Sequence, residues 1–219
     1  MAFSERILNL SPSLTVMIDS RAKELLAEGV DVISLGAGEP DFPTPRAIAQ
    51  AGIDAILEVK TRYAAPDGLL SLKKAICEKL LRENQLTYST EEIVVSSGAK
   101  HAVFNAISAL INPGDEVIIP APYWVTYPEL VRYCGGIPQI ILTGEKNGFH
   151  LTAEALQAAL SPKSKLLILN SPNNPSGAVL TFKELEEIGR VVLENDLWVL
   201  SDEIYEHLVY GPARHISIA

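Results

Sequence analysis

The sequence predicts an α/β protein built on a mostly parallel sheet, and three observations carry that prediction. From about residue 90, short apolar runs alternate with segments whose apolar residues recur at helical spacing. A helix between successive strands carries the chain back to start the next strand in the same direction, so the sheet is parallel and covered on both faces. The composition allows a sizeable core, since 47% of the 219 residues are hydrophobic and 21% are charged.

The elements follow in order. "IDSRAKELLAEG" reads as an amphipathic helix ended by Gly29, "DVISL" as a short strand, and "GAGEPDFPTP" as a loop set by glycine and proline. "RAIAQAGIDAILEV" and "LLSLKKAICEKLLREN" read as helices. "EIVVSSG" is predicted to be a short buried strand running into the helix "AKHAVFNAISAL". The strand "DEVIIP", the glycine-closed helix "YPELVRYCGG", the strand "PQIILT", the helix "TAEALQAAL" and the strand "KLLILN" come next. Thr181 with Glu184 three residues on is the spacing of a capping box, opening the helix "TFKELEEIGRVVLEND" before the strand "LWVLSD".

Open α/β sheets bind ligands beyond the carboxyl ends of their strands, so the residues just past each strand are the ones to inspect. Ser96, Ser97, Gly98, Ala99 and Lys100 form a small-residue turn that opens a helix, where free amides and the helix dipole favour an anion. The turn matches neither GxxxxGK[ST] nor GxGxxG, which weakens triphosphate and dinucleotide readings. Trp124 follows "DEVIIP" and can stack on a flat ring, although in isolation it reads equally well as a core aromatic. Asn174 lies in the proline-fixed turn "SPNNPSG", where an amide can meet a ligand oxygen or its own backbone, and an Asn-Pro bond can be cis. Asp202 ends an apolar run, with Tyr205 three residues on. Such an acid is often a helix cap, but a buried carboxylate needs a cation or strong donors. Each feature alone is weak; their recurrence on successive strand ends of one sheet is not.

The remaining composition excludes more than it assigns. The net charge is −9, without a basic run, which argues against nucleic acid. No apolar stretch has membrane-spanning length, and "MAFSERILNL" lacks a signal-peptide core, so the expectation is a cytoplasmic protein. Cys77 and Cys134 are expected to be buried free thiols. His101, His150, His207 and His215 show no metal spacing and are expected at the surface or packed on helices.

"SSGAKHAV", "PYWVTYPE", "NSPNNPSGAV" and "SDEIYEHLVY", in this order, resemble the class I pyridoxal-phosphate aminotransferases of fold type I, particularly bacterial-type aspartate aminotransferases. "GAGEPDFPTP" and "YAAPDGLLSLKKAI" fit the same family, so the resemblance covers essentially the whole chain. It implies a homodimer using pyridoxal 5'-phosphate to move an amino group from an L-amino acid, best matched by aspartate, to a 2-oxo acid, best matched by 2-oxoglutarate. Aromatic amino acids or prephenate are the alternatives within the family. By resemblance Asp202 meets the cofactor's pyridine nitrogen, Asn174 and Tyr205 its ring oxygen, and Trp124 stacks on the ring. Gly98, Ala99 and Lys100 form the phosphate cup, and Tyr63 reaches the phosphate in the partner subunit. Gly38 contacts the substrate carboxylate through its backbone, with Trp124 and Asn174 also facing substrate. The implied domains are an N-terminal segment of a smaller domain, 1–44, and the N-terminal part of the cofactor-binding large domain, 45–219.

The chain departs from the family pattern in two respects. The family's cofactor-bearing lysine follows the Asp202–Tyr205 segment, and none of the ten lysines lies after Lys183. The family's carboxylate-binding arginine, placed still later, has no counterpart here either. No catalytic residue is therefore assigned, and the expectation is the N-terminal part of a longer enzyme, inactive as it stands. A naturally short, catalytically dead binding module is the rival of another class. A nicotinamide oxidoreductase is disfavoured because "GAGEPD" has Asp41 where the fingerprint needs its third glycine.

Overall fold

In the computed structural model, residues 3–12, 14–36, 38 and 40–219 are described. Their contacts divide into two compact units, one of residues 1–11 with 70–219 and one of residues 12–69. The expected boundary at 44/45 falls inside the second unit.

The larger unit carries the sheet. Helix α1 (Glu5–Leu8) belongs to it through residues 1–11. Helix α4 (Leu70–Lys79) runs into a π-helical turn at Leu80–Asn84 that closes on Gln85 in the left-handed region, φ 59°. One predicted helix thus becomes a helix and a wider turn. After a short 3₁₀ turn at Thr90–Glu92 come α5 (Ala99–Leu110), β1 (Glu116–Ala121), α6 (Thr126–Tyr133), β2 (Ile137–Leu142), α7 (Ala153–Ala159), β3 (Ser164–Asn170), α8 (Phe182–Glu194) and β4 (Trp198–Asp202). Local chemistry sets several of these bounds. Thr181 Oγ1 accepts the Glu184 N–H while the Glu184 carboxylate accepts the Thr181 N–H at 2.8 Å, completing the predicted capping box of α8. At the end of α6, Gly135 takes φ 87°, its N–H bonds Arg132 O and the Gly136 N–H bonds Val131 O, the pairing that closes a helix on glycine.

All strand pairs are parallel, in the order β2-β1-β3-β4. The chain goes outward from β1 to β2, then crosses back past β1 to β3 and on to β4. Winding therefore reverses between β1 and β3, where open sheets of this kind form a crevice at the strand ends. Alternate residues of the central strands feed two cores. Val117, Ile119, Leu166 and Ile168 pack with Val103, Ile107, Tyr127 and Val131 from α5 and α6. Ile118, Leu167 and Leu169 pack on the other face with Leu156, Leu185 and Ile188 from α7 and α8. The parallel α/β sheet expected from the sequence is present.

Two predicted strands are not. Residues 93–96 of "EIVVSSG" have extended backbone at Ile93 (φ −107°, ψ 127°), but no strand pairs with them among the described residues, and Val94 is 66% exposed. Apolar, β-favouring residues make a strand only where a neighbour supplies the ladder. "DVISL" fails for the same reason, with Ile33 and Leu35 almost wholly exposed.

The unit of residues 12–69 holds α2 (Leu14–Ala27) and α3 (Arg46–Leu57). Gly29, at φ 82°, closes α2, with the Val30 N–H bonding Leu25 O and the Gly29 N–H bonding Leu26 O. Residues 38 and 40–45 have no helix or strand, as glycine and proline predict.

Candidate functional site

Asp202 is the last residue of β4, and strand alternation puts its side chain on the α5–α6 face, the same side as Leu200. There the residue is 8% exposed, and its carboxylate accepts the Tyr127 O–H at 2.6 Å and the Ile204 N–H at 3.2 Å. Two donors make the buried charge tolerable. Burial first, and the Asp202 charge second, push the Tyr127 hydroxyl far above the usual tyrosine range, so it stays a donor.

Tyr127 comes from the first turn of α6, three residues after Trp124. The Trp124 ring meets it edge-on, with centroids 5.4 Å apart at 86°. Trp124 is half-buried, its inner side packed on the core, so it is both the core aromatic and the exposed ring that the sequence offered as alternatives. The Lys100 ammonium lies 5.1 Å from its centroid, within cation–π range.

The turn before α5 is more constrained than its sequence implies. Gly98 sits at φ 82°, a conformation that favours glycine, with its N–H on Ser96 O. The Ser97 N–H donates to His101 Nδ1 at 3.1 Å. The amides of Ala99 and Lys100 lie in the first helical turn, where no intrahelical acceptor is available to them. The anion-binding capacity of the turn thus rests on these two amides and the Lys100 side chain.

At the end of β3, Asn170 is a hub. Its amide nitrogen donates to Asp202 O at 2.9 Å and Pro172 O at 3.1 Å, while its carbonyl oxygen accepts the Asn174 N–H at 2.7 Å. The Asn173 amide donates to Pro122 O at 3.3 Å, tying this loop to the one after β1. The Ser171–Pro172 and Asn174–Pro175 peptides are cis. Asn174 presents its amide to Tyr205 Oη at 3.4 Å.

Lys100, Trp124 and Asp202 are therefore linked through Tyr127, and Asn174 with Tyr205 join through Asn170. Gly98 and Ala99 begin the helix that carries Lys100. Tyr63 and Gly38 belong to the unit of residues 12–69, where both are exposed. Two site residues escaped the sequence reading. Tyr127 lies at the i+3 helical spacing from Trp124, and Asn170, like Asp202, is a polar end to an apolar strand. His215 also departs from expectation. Its side chain is 7% exposed and outside any helix, with Nε2 3.0 Å from Glu203.

The reversal of winding between β1 and β3, a half-exposed tryptophan, an oriented buried acid and a helix N-terminus thus lie together in a doubly wound α/β unit. Comparison with known proteins narrows this. The family model for aminotransferase class I and II matches residues 30–219. The chain is 49% identical over 216 residues to the aspartate aminotransferase of Bacillus sp. (strain YM-2), covering 99% of this chain and 55% of that protein. It is 47% identical to the probable aspartate/prephenate aminotransferase of Aquifex aeolicus (strain VF5), with 99% and 55% covered. Among solved structures, the aspartate aminotransferase from Thermus thermophilus with maleate superposes with a TM-score of 0.96 at 44% identity, over 100% of this chain and 57% of that one. The chain belongs to the class I and II aminotransferases, and it spans about half the length of these relatives.

Proposed function

We propose that these residues hold pyridoxal 5'-phosphate and a substrate in an aminotransferase that moves the amino group of L-aspartate to 2-oxoglutarate. The observation that carries the reading is the buried Asp202 carboxylate, fixed by Tyr127 at a strand end beside a half-exposed Trp124. The donor set suits this cofactor: an acid for a ring nitrogen, an aromatic plate, an amide and a phenol for a ring oxygen, and two helix amides with a lysine for a phosphate. When bound, pyridoxal phosphate supplies an electrophilic aldehyde and an electron-accepting ring.

In this reading Asp202 keeps a proton on the ring nitrogen, because a buried carboxylate stabilises the cation facing it. Tyr127 and the Ile204 amide hold Asp202 in that orientation. Trp124 stacks on the ring, Asn174 and Tyr205 hold its oxygen, and the Ala99 and Lys100 amides with the Lys100 ammonium hold the phosphate, on a turn made possible by Gly98. Gly38 meets the substrate carboxylate through its backbone, and Tyr63 reaches the phosphate of the other subunit in a homodimer. No residue of 1–219 is assigned as the amine that carries the cofactor, since the resemblance puts it after Tyr205 and the last lysine here is Lys183. Prephenate is the second reading, favoured by the relatives from Aquifex aeolicus and Cereibacter sphaeroides, whose names include it.

In the intact protein, Asp202→Ala is expected to lose far more activity than Asp202→Glu; equal, mild losses overturn the assignment. Residues 1–219 alone, treated with pyridoxal phosphate and borohydride, are expected to show no single stoichiometrically labelled lysine on peptide mapping. Such a label, together with turnover of aspartate, would put the amine inside this chain.

A further inference from the structure

Ser201 and Glu203 flank Asp202 in sequence; alternation sends the Ser201 side chain to the opposite side of β4, and Glu203 follows just past the strand's end. There they bond to each other, Ser201 Oγ donating to Glu203 Oε1 at 2.7 Å. The same carboxylate gathers two more donors from a later segment, Ser217 Oγ at 2.7 Å on Oε1 and His215 Nε2 at 3.0 Å on Oε2. Ile218 in that segment packs on the α7–α8 core, so the donors arrive on an anchored piece of chain. A carboxylate only accepts, so Nε2 carries the hydrogen. His215 Nδ1 is buried without a partner among the described residues, which leaves the Glu203 bond as the one polar contact fixing the ring. Glu206, in the turn that follows, is held separately by Lys79 at 2.5 Å and Asn84 at 3.3 Å.

These bonds constrain the backbone on which Asp202 depends. One of the two donors to its carboxylate is the Ile204 N–H, and the orientation of that amide is set by the torsions of Glu203. We infer that Glu203 is a positioning residue: by binding Ser201, His215 and Ser217 behind the strand, it fixes the direction in which Asp202 presents its carboxylate to the ring nitrogen. Glu203 itself faces away from that carboxylate and touches no reacting group. The inference rests on the reading of Asp202 proposed above.

The test uses the intact protein loaded with pyridoxal phosphate labelled with ¹⁵N in the ring, comparing cofactor dissociation constant, ring-nitrogen chemical shift and melting temperature. Glu203→Ala is expected to weaken cofactor binding about tenfold and to move the ¹⁵N signal toward the unprotonated form. Ser201→Ala, which removes one of the three bonds and spares the fold, is expected to do the same by about threefold. Glu203→Gln keeps an oxygen acceptor for both serine hydroxyls and is expected to stay within about twofold of the parent. Thr181→Ala, which weakens a helix cap away from the site, serves as the control with lower melting temperature and unchanged cofactor parameters. If Glu203→Ala and Ser201→Ala behave like Thr181→Ala, the positioning role is overturned. If Asp202→Ala also leaves the ¹⁵N signal and the dissociation constant unchanged, the cofactor reading itself has failed, which is a separate result.

Discussion

Residues 70–219 and residues 12–69 use the same amino acids to different ends. In the first, Ile107, Val117, Ile118, Leu166, Leu167 and Ile188 are entirely removed from solvent, and the central strands β1 and β3 lie between two helical layers. In the second, α3 contains no buried residue, and Ile48, Ile56 and Leu57 are 63%, 66% and 75% exposed. Apolar residues at helical spacing occur in both. The difference teaches that periodicity specifies the shape of an element, whereas burial depends on whether another element meets its apolar face.

The comparison breaks first at the core. Leu167→Ala is expected to lower unfolding free energy by about 2–5 kcal/mol, whereas Ile56→Ala should change it by less than about 0.5 kcal/mol. Denaturant titration of each variant checks this, and a comparable loss for Ile56 would mean that α3 is buried against something in solution. A smaller effect is expected at the site. Tyr127→Phe removes the donor to a buried carboxylate and should cost about 1.5–3 kcal/mol. In a double-mutant cycle most of that loss should disappear when Asp202 is already asparagine. Next comes the cap of α8, where Thr181→Ala should cost about 1 kcal/mol.

The smallest effect is in acid. Burial opposes the charges of Glu184 and Glu206, yet hydrogen bonds from Thr181 and His150 to the first, and from Lys79 and Asn84 to the second, hold both below their ordinary value of 4.5. Carboxyls lowered on folding stabilise the protein above pH 4.5, and that contribution is lost as pH falls through their folded values. Each should be worth under about 1 kcal/mol. Melts at pH 7 and pH 4 should therefore differ less for Glu206→Gln than for the parent.

Much of the architecture was legible because its signals are local. Thr181 with Glu184, and the glycines at 29 and 135, mark helix ends through bonds spanning a few residues. "EIVV" and "DVISL" misled because a strand is a relation between two segments, and apolarity cannot name the second. The site divides in the same way. Asp202, Trp124 and Asn174 were visible as polar or aromatic residues at the ends of apolar runs. Tyr127 and Asn170 act through partners 75 and 32 residues away in sequence, so their roles appear only once the sheet has set β3 beside β4. Glu203 was hidden similarly, since an acid beside another acid reads as a solvated charge until His215 and Ser217 return to it.

The Asn170 hub also bears on hydrogen exchange. Asn174 lies on a loop, where backbone amides ordinarily trade their protons with solvent after small local fluctuations. Its N–H is instead bound to the Asn170 carbonyl oxygen, and the Asn170 amide group is itself fastened to the backbone at Asp202. Releasing the Asn174 proton thus means breaking a bond to a side chain that the join between the ends of β3 and β4 holds in place. This loop amide should exchange more slowly than its loop position alone implies, tying the loop to the strands beneath it.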